Sequence, residues 1–170
     1  AALDGDGDRC LIVEATEDGY KIIDGDAMAD TVAVAGHRQN PTWIVAASIE
    51  SDLALLSSMS RLSPTTNTIE TAVGDRWLSH ALREHLSETD NMPAMIGVED
   101  SGHAVLPSPH PHSSGSWSLV GDGAGTLISY FLARSVADEK SLMNRGWKQR
   151  ESVKKVNRSL WDGMNQLSDE

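Results

Sequence analysis

Asp4, Asp6 and Asp8 alternate with glycine in the run DGDGDR, and Arg9 closes it. Like charges this close repel one another, while glycine lets the backbone turn sharply enough for all three carboxylates to face one point. Such an arrangement suits an ion better than it suits a fold. Oxygen-only donors select a hard divalent cation, Mg²⁺ or Ca²⁺, over zinc. A calcium EF-hand fails on spacing: counted from Asp4, the sixth position is Arg9 rather than glycine and the twelfth is Ala15 rather than glutamate. The plain alternative is an acidic turn solvated at the surface. The arginine and the apolar run CLIVEA that follow directly count against it.

Other residues with reactive side chains offer less. Cys10 opens the apolar run CLIVEA, where a buried structural thiol is expected rather than a nucleophile, and a single cysteine excludes an internal disulfide framework. His110 and His112 in PHPH could be joined with His103 as a zinc site, yet no cysteine or carboxylate accompanies them and the segment reads as a proline-rich loop. The glycines of GDGAGT are one residue short of a dinucleotide fingerprint and lack a ribose-binding acid after them.

These residues need a scaffold, and the chain alternates in a way that provides one. CLIVEA, the turn TEDG and YKII read as a hairpin. DGDAMADTVAVAGH reads as a helix with Asp24 or Asp26 at its cap and Gly36 near its stop. NPTWIVAAS is a continuously apolar strand, buried on both faces. SDLALLSSMSRLS follows as a helix with Leu55, Leu56, Met59 and Leu62 on one side and Pro64 beyond its end. TNTIETAV is the next strand, and GDRWLSHALREHL a helix with Leu78, Ala81, Leu82 and His85 or Leu86 inward. PAMIGVE is a further strand, LPSPHPHSSGSWS a loop, and GDGAGTLISYFLARSVA a helix with Leu127, Ile128, Phe131 and Leu132 toward the core. From about Asp138 the chain turns polar, and ESVKKVNRSLW is an edge strand or the beginning of another unit. Strand and helix in turn predict an α/β fold, a parallel or mixed sheet covered by helices, preceded by the short hairpin. In such sheets ligands gather beyond the carboxyl ends of strands, and VGDR, EDSGH and GDGAG all fall at strand ends.

On these motifs the sequence resembles the alpha-D-phosphohexomutase family, which includes enzymes of glucose, mannose and glucosamine phosphates. DGDGDR is similar to that family's metal loop, IIDGD to the segment leading into the next helix, TAVGDRW to its T-x-V-G-D-R-Y loop with Trp77 in place of tyrosine, EDSGH to its E-x-S-G-H sugar motif, and GDG at Gly121–Gly123 to a glycine turn. The matches keep the family's order over about 135 residues. The resemblance implies Mg²⁺ held by Asp4, Asp6 and Asp8, with Arg9 supporting the phosphoryl region. It also implies a hexose phosphate bound by Glu99, Ser101, His103, Gly74, Asp75 and Arg76, with His103 close to the reacting oxygens. The residue chemistry agrees. Pyranose hydroxyls both donate and accept, so a carboxylate and a hydroxyl two residues apart can clamp adjacent positions, and an imidazole can exchange a proton near neutral pH.

The reaction implied moves a phosphoryl group between the 1- and 6-positions of the sugar through a phosphoserine. The T-x-S-H-N-P and R-x-S-G-T-E loops expected for the donor and for a fourth domain do not occur in these residues. The expected division is therefore residues 1–24 as the end of a second domain with the metal loop, 25–137 as a third, sugar-recognising domain, and 138–170 as a linker and the possible start of a fourth. Domains one and four would be its partners, and the chain alone would be inactive. A non-catalytic sugar-phosphate-binding or regulatory module of the same fold is the alternative.

Composition is consistent with this. A chain of 170 residues with 39% hydrophobic residues can fill a core, and its apolar runs fall short of the roughly 20 residues a membrane span needs. A net charge of −11 gives nucleic acid no attractive field outside the weakly basic NRGWKQRESVKKVNR. Neither membrane nor nucleic acid is an expected partner, and a cytoplasmic location is expected.

Overall fold

The computed structural model describes residues 1–86 and 92–136, together with Met143. The basic stretch and the segment ESVKKVNRSLW lie outside the described residues, as does nearly all of the region expected to begin a further domain.

Three antiparallel strands come first, in the order β1 (Ala2–Leu3), β2 (Cys10–Thr16), β3 (Gly19–Ile23). The aspartate run is the connection between β1 and β2. Thr16 pairs with Gly19, which closes the β2–β3 hairpin over two residues, and Gly19 there takes a φ of 139° that suits glycine alone. Helix α1 (Gly25–His37) begins on Asp24, whose side chain accepts from the Ala27 amide at 3.0 Å. Gly36 lies inside the last turn rather than past it. A side chain there would collide with the Trp43 ring, so the glycine serves packing and not termination.

The main sheet has five strands in the order β5 (Asn67–Thr71), β4 (Ile44–Ser48), β6 (Met95–Val98), β7 (Ala104–Pro109), β8 (Trp117–Gly121). β5, β4 and β6 are parallel, while the β6–β7 and β7–β8 pairs are antiparallel. The sheet is thus mixed. All five β4 residues are buried, as the uninterrupted apolar run requires of a strand covered on both faces. Alternate side chains divide between two cores. Val45, Ala47, Ile96 and Val98 meet α1 and α2 (Leu53–Leu62), whereas Ile44, Ala46 and Met95 meet α3 (Asp75–Glu84) through Leu78, Ala81 and Leu82, with Leu86 partly covered. A third cluster of Cys10, Ile12, Ile23, Met28 and Tyr130 joins the hairpin to α1 and α4 (Gly123–Val136). The Asp26 carboxylate accepts from the Asp52 amide at 2.8 Å and ties the starts of α1 and α2 together.

Two expectations are corrected. LPSPHPHSSGSWS is not one loop, because β7 runs through Pro109 and β8 begins at Trp117, leaving only 110–116 as the connection. Pro107 and Pro109 are tolerated because, by the alternation that sends His103 O toward Glu99, their nitrogens face the β6 side, where pairing has stopped at Val105. Their other side still pairs with Leu119 and Trp117. In α4 the buried face is Thr126, Tyr130 and Ala133 with Leu127 partly covered, while Ile128, Phe131 and Leu132 are exposed at 60%, 53% and 64%. Tyr130 packs on that face with the smaller Thr126 and Ala133, while the stripe of Ile128, Phe131 and Leu132 points away from it. No helix among the described residues is long and apolar enough to cross a membrane.

Candidate functional site

β5, β4 and β6 run in one direction and β8, two antiparallel steps from β6, runs the same way, so all four end at one edge of the sheet. TAVGDRW follows β5, EDSGH follows β6 and GDG ends β8. The topology therefore gathers the three strand-end motifs at the position where α/β sheets bind ligands.

The metal-loop candidates converge. One carboxylate oxygen from each of Asp4, Asp6 and Asp8 lies within 4.8 Å of the others. Arg9 balances part of the charge: its amide donates to Asp4 Oδ1 at 3.3 Å, and its Nε lies 3.3 Å from Asp4 Oδ2 and 3.7 Å from Asp8 Oδ1. Burial pushes the Asp8 carboxyl above its usual range, with His103 opposing the shift and Asp6 and Asp4 adding to it. At Asp4 desolvation pulls the carboxyl upward, but the Arg9 amide and guanidinium, the Asp8 side chain and the Gly7 amide together carry it below its usual value. The set fits a hard divalent cation. It is all oxygen, it converges, and Asp8 Oδ1 is buried without a hydrogen bond among the described residues.

The sugar-motif residues are built on a tight turn between β6 and β7. Glu99 is 8% exposed, with Oε1 accepting from the Gly74 amide at 2.6 Å and Oε2 from the Ser101 hydroxyl at 3.3 Å. Glu99 and Ser101 are therefore adjacent and aligned, and the same carboxylate fastens the TAVGDRW loop to the turn. Gly74 takes a φ of 120° to present that amide. Asp75 and Arg76 are exposed: Asp75 accepts from the Arg76 amide at 2.6 Å, and the Arg76 guanidinium lies 4.7 Å above the Trp77 ring.

His103 joins the two halves. Its Nδ1 lies 3.1 Å from Asp8 Oδ2, Arg9 and His103 form an antiparallel bridge, and the Cys10 amide donates to the Gly102 carbonyl at 3.0 Å. The metal loop and the EDSGH turn are thus laced side by side. Contacts run from Gly74 through Glu99 to Ser101, and from Gly102 and His103 to Cys10 and Asp8. Arg9 and Asp4 join it through the Arg9–His103 bridge and the Arg9–Asp4 contacts, Asp6 stands beside it as the third converging carboxylate, and Asp75 and Arg76 stay local.

Sequence reasoning missed the glycines that make the approach possible. A Cβ at Gly102, where φ is 93°, would strike the Cys10 carbonyl, and one at Gly25 would strike the Glu99 carbonyl. At Gly121 a Cβ would come within 2.8 Å of His103 Nε2, and at Gly123 within 2.6 Å of the Arg9 carbonyl, beside the Gly123 amide's 2.9 Å bond to Gly7 O. The available signal was the glycine in IIDGD, EDSGH and GDG, each at the end of an element. Cys10 is 1% exposed and its thiol is pushed upward by burial, as a structural cysteine should be.

Comparison with known proteins places these motifs in context. The family described as phosphoglucomutase/phosphomannomutase, alpha/beta/alpha domain III, matches residues 24–147. Phosphoglucosamine mutases of Corynebacterium aurimucosum and Kineococcus radiotolerans are 34% and 35% identical over 143 residues, each match covering 83% of this chain. The chain spans only 27% of the length of those relatives. N-acetylphosphoglucosamine mutase of Aspergillus fumigatus, solved with GlcNAc-6P and magnesium, shares the fold at a TM-score of 0.57 and 19% identity, over 79% of this chain and 32% of that one. A phosphoglucomutase/phosphomannomutase family protein of Burkholderia thailandensis aligns at a TM-score of 0.53 and 24% identity, over 78% and 25%.

Proposed function

Because the chain belongs to the phosphoglucomutase/phosphomannomutase family of alpha-D-phosphohexomutases, we propose that it supplies the metal-holding and sugar-recognising parts of an isomerase that moves a phosphoryl group between the 1- and 6-positions of a hexose phosphate. The glucosamine type is favoured over glucose or mannose by the names of the relatives. The observation that carries the reading is the lacing of the aspartate loop to the EDSGH turn through Asp8–His103 and Cys10–Gly102. It sets a cation-binding cluster beside a carboxylate and hydroxyl suited to a pyranose.

In this reading residues 1–24 close a second domain, 25–137 form the third, and 138–170 lead toward a fourth. Asp4, Asp6 and Asp8 hold Mg²⁺, which when bound stabilises charge on a transferring phosphoryl group. Arg9 keeps the carboxylates converged and offers a guanidinium to phosphoryl oxygens. Glu99 accepts from a sugar hydroxyl on a remaining lone pair, and the Ser101 oxygen, whose proton goes to Glu99 Oε2, accepts from a second, fixing which oxygen faces the metal loop. Gly74 holds Glu99 in place, and Asp75 and Arg76 form the outer wall, where the guanidinium meets substrate phosphate. The phosphoryl donor is a serine outside these residues. Sugar-phosphate chemistry and an unpaired thiol go with a cytoplasmic location.

The test uses the full-length protein carrying this segment, with glucosamine 6-phosphate as substrate. Asp6→Asn should abolish turnover and leave sugar-phosphate binding largely intact, because it weakens the cation and not the clamp. Glu99→Ala should instead lose binding. Wild-type kcat and KM in both variants would refute the assignment.

A further inference from the structure

We infer that His103 is a positioning residue for the metal loop, holding Asp8 so that one carboxylate oxygen stays turned toward the cation. The inference rests on the assignment of Asp4, Asp6 and Asp8 as the metal ligands and adds a role for the histidine that acts through one of them.

Three observations carry it. First, the two oxygens of Asp8 have different surroundings. Oδ2 lies 3.1 Å from His103 Nδ1, an ion-pair contact, while Oδ1 is buried without a hydrogen bond among the described residues. A ring nitrogen held against one oxygen restrains the carboxylate's rotation and leaves the other oxygen for an ion, the usual work of a partner behind a metal ligand. Second, the ring is confined. The His103 side chain is 7% exposed, and Gly121 lies so close that a methyl group there would reach within 2.8 Å of Nε2 and 2.9 Å of Cε1. Third, the backbones on either side are fastened by the Arg9–His103 bridge and the Cys10–Gly102 hydrogen bond, so the Nδ1 to Asp8 contact joins two fixed frames. Nε2 is itself buried with no hydrogen-bond partner among the described residues, on the side of the ring closed by Gly121. An imidazole so placed reaches the reaction through Asp8.

The experiment titrates the intact 170-residue chain with Mn²⁺, a paramagnetic probe of a magnesium-type oxygen site, and reads free Mn²⁺ by electron paramagnetic resonance. His103→Leu, which keeps bulk but no donor, should weaken binding about 10- to 100-fold. His103→Asn, whose amide N–H falls near the position of Nδ1, should recover most of that loss, which a purely structural role would not predict. Gly121→Ala, on an exposed residue, should weaken binding several-fold by displacing the ring, and it decides the matter if the leucine variant does not fold. Wild-type affinity in His103→Leu or Gly121→Ala, or equal losses in the leucine and asparagine variants, would overturn the inference. Asp6→Asn should remove binding altogether. If it does not, or if the wild-type chain binds no Mn²⁺, the metal-loop assignment fails, and the positioning role with it, by a result distinct from the others.

Discussion

Gly102→Ala should destabilise the chain by more than its size suggests, because two independent penalties meet at that residue. Its φ of 93° lies where a Cβ is unfavourable, which costs about 1–2 kcal/mol. A Cβ there would also run into the Cys10 carbonyl and approach Leu11 Cδ2 to 3.2 Å. Those neighbours cannot give easily, since Cys10 is bound through its amide to Gly102 O and packed in the cluster with Ile12, Ile23 and Tyr130. Overpacking of this kind costs typically about 1–3 kcal/mol. The expected sum is roughly 2–5 kcal/mol. Gly115 provides an internal control: its φ is 85°, but a Cβ there meets nothing within 4 Å, so Gly115→Ala should show the backbone penalty alone. The assay is urea unfolding of both variants, compared at a common m-value. The difference between them isolates the collision. If Gly102→Ala were no less stable than Gly115→Ala, the hairpin would not be pressed against the EDSGH turn, and the lacing of the two loops would be wrong.

Three further outcomes are expected. The pure 170-residue chain should convert no glucosamine 6-phosphate to the 1-phosphate above a buffer control, because no residue in it is the phosphoryl donor of the proposed reaction; measurable turnover would refute this. In the full-length protein, Glu99→Ala and Ser101→Ala should each weaken sugar-phosphate binding by about 1–3 kcal/mol per hydrogen bond lost, seen by calorimetry as a raised Kd. Cys10 should resist Ellman's reagent in the native chain and react on addition of urea, since burial both hides the thiol and holds it protonated; labelling at the rate of a free thiol without denaturant would contradict the packed position.

Local signals were legible wherever a single rule governed. The uninterrupted run at Ile44–Ser48 could be satisfied only by burial on both faces, and Leu78, Ala81 and Leu82 fall on one side of a helix by spacing alone. An aspartate before an apolar-periodic segment announced the helix, and of the two offered, Asp24 and Asp26, the structure has Asp24 at the cap. The failures came where two rules competed. Proline argues against a strand, yet Pro107 and Pro109 lie in one because only their unpaired side lacks a donor. In α4 two faces carry apolar residues, and the one with Thr126, Tyr130 and Ala133 packs inward while Phe131 and Leu132 stay exposed. Of the candidate site, the converging aspartates were readable from spacing, while Gly74, Asp75, Arg76, Glu99, Ser101 and His103 came from the resemblance of their motifs. The contact between Asp8 and His103, far apart in the sequence, was not legible, because nothing local records which turn will lie beside which loop.

That contact also bears on how the acidic loop is tolerated within the fold. Three carboxylates and the one guanidinium of Arg9 leave a formal charge of −2 in a cluster whose oxygens approach within 4.8 Å. Asp6 is exposed, and the Asp4 and Asp8 side chains each keep about a third of their surface in water, 34% and 35%, so water screens part of the repulsion at all three. The two oxygens of Asp8 have different neighbours: His103 lies against Oδ2, and Oδ1 lies 3.7 Å from Arg9 Nε with no hydrogen bond among the described residues. A divalent cation matches both the residual charge and the open oxygen. The same positioning orders the EDSGH turn, since His103 is its last residue and Gly102 is bound to Cys10. Charge compensation at the aspartates and orientation of Glu99 and Ser101 are thus parts of one arrangement, and a change at either loop is felt at the other through a histidine and a glycine that touch both.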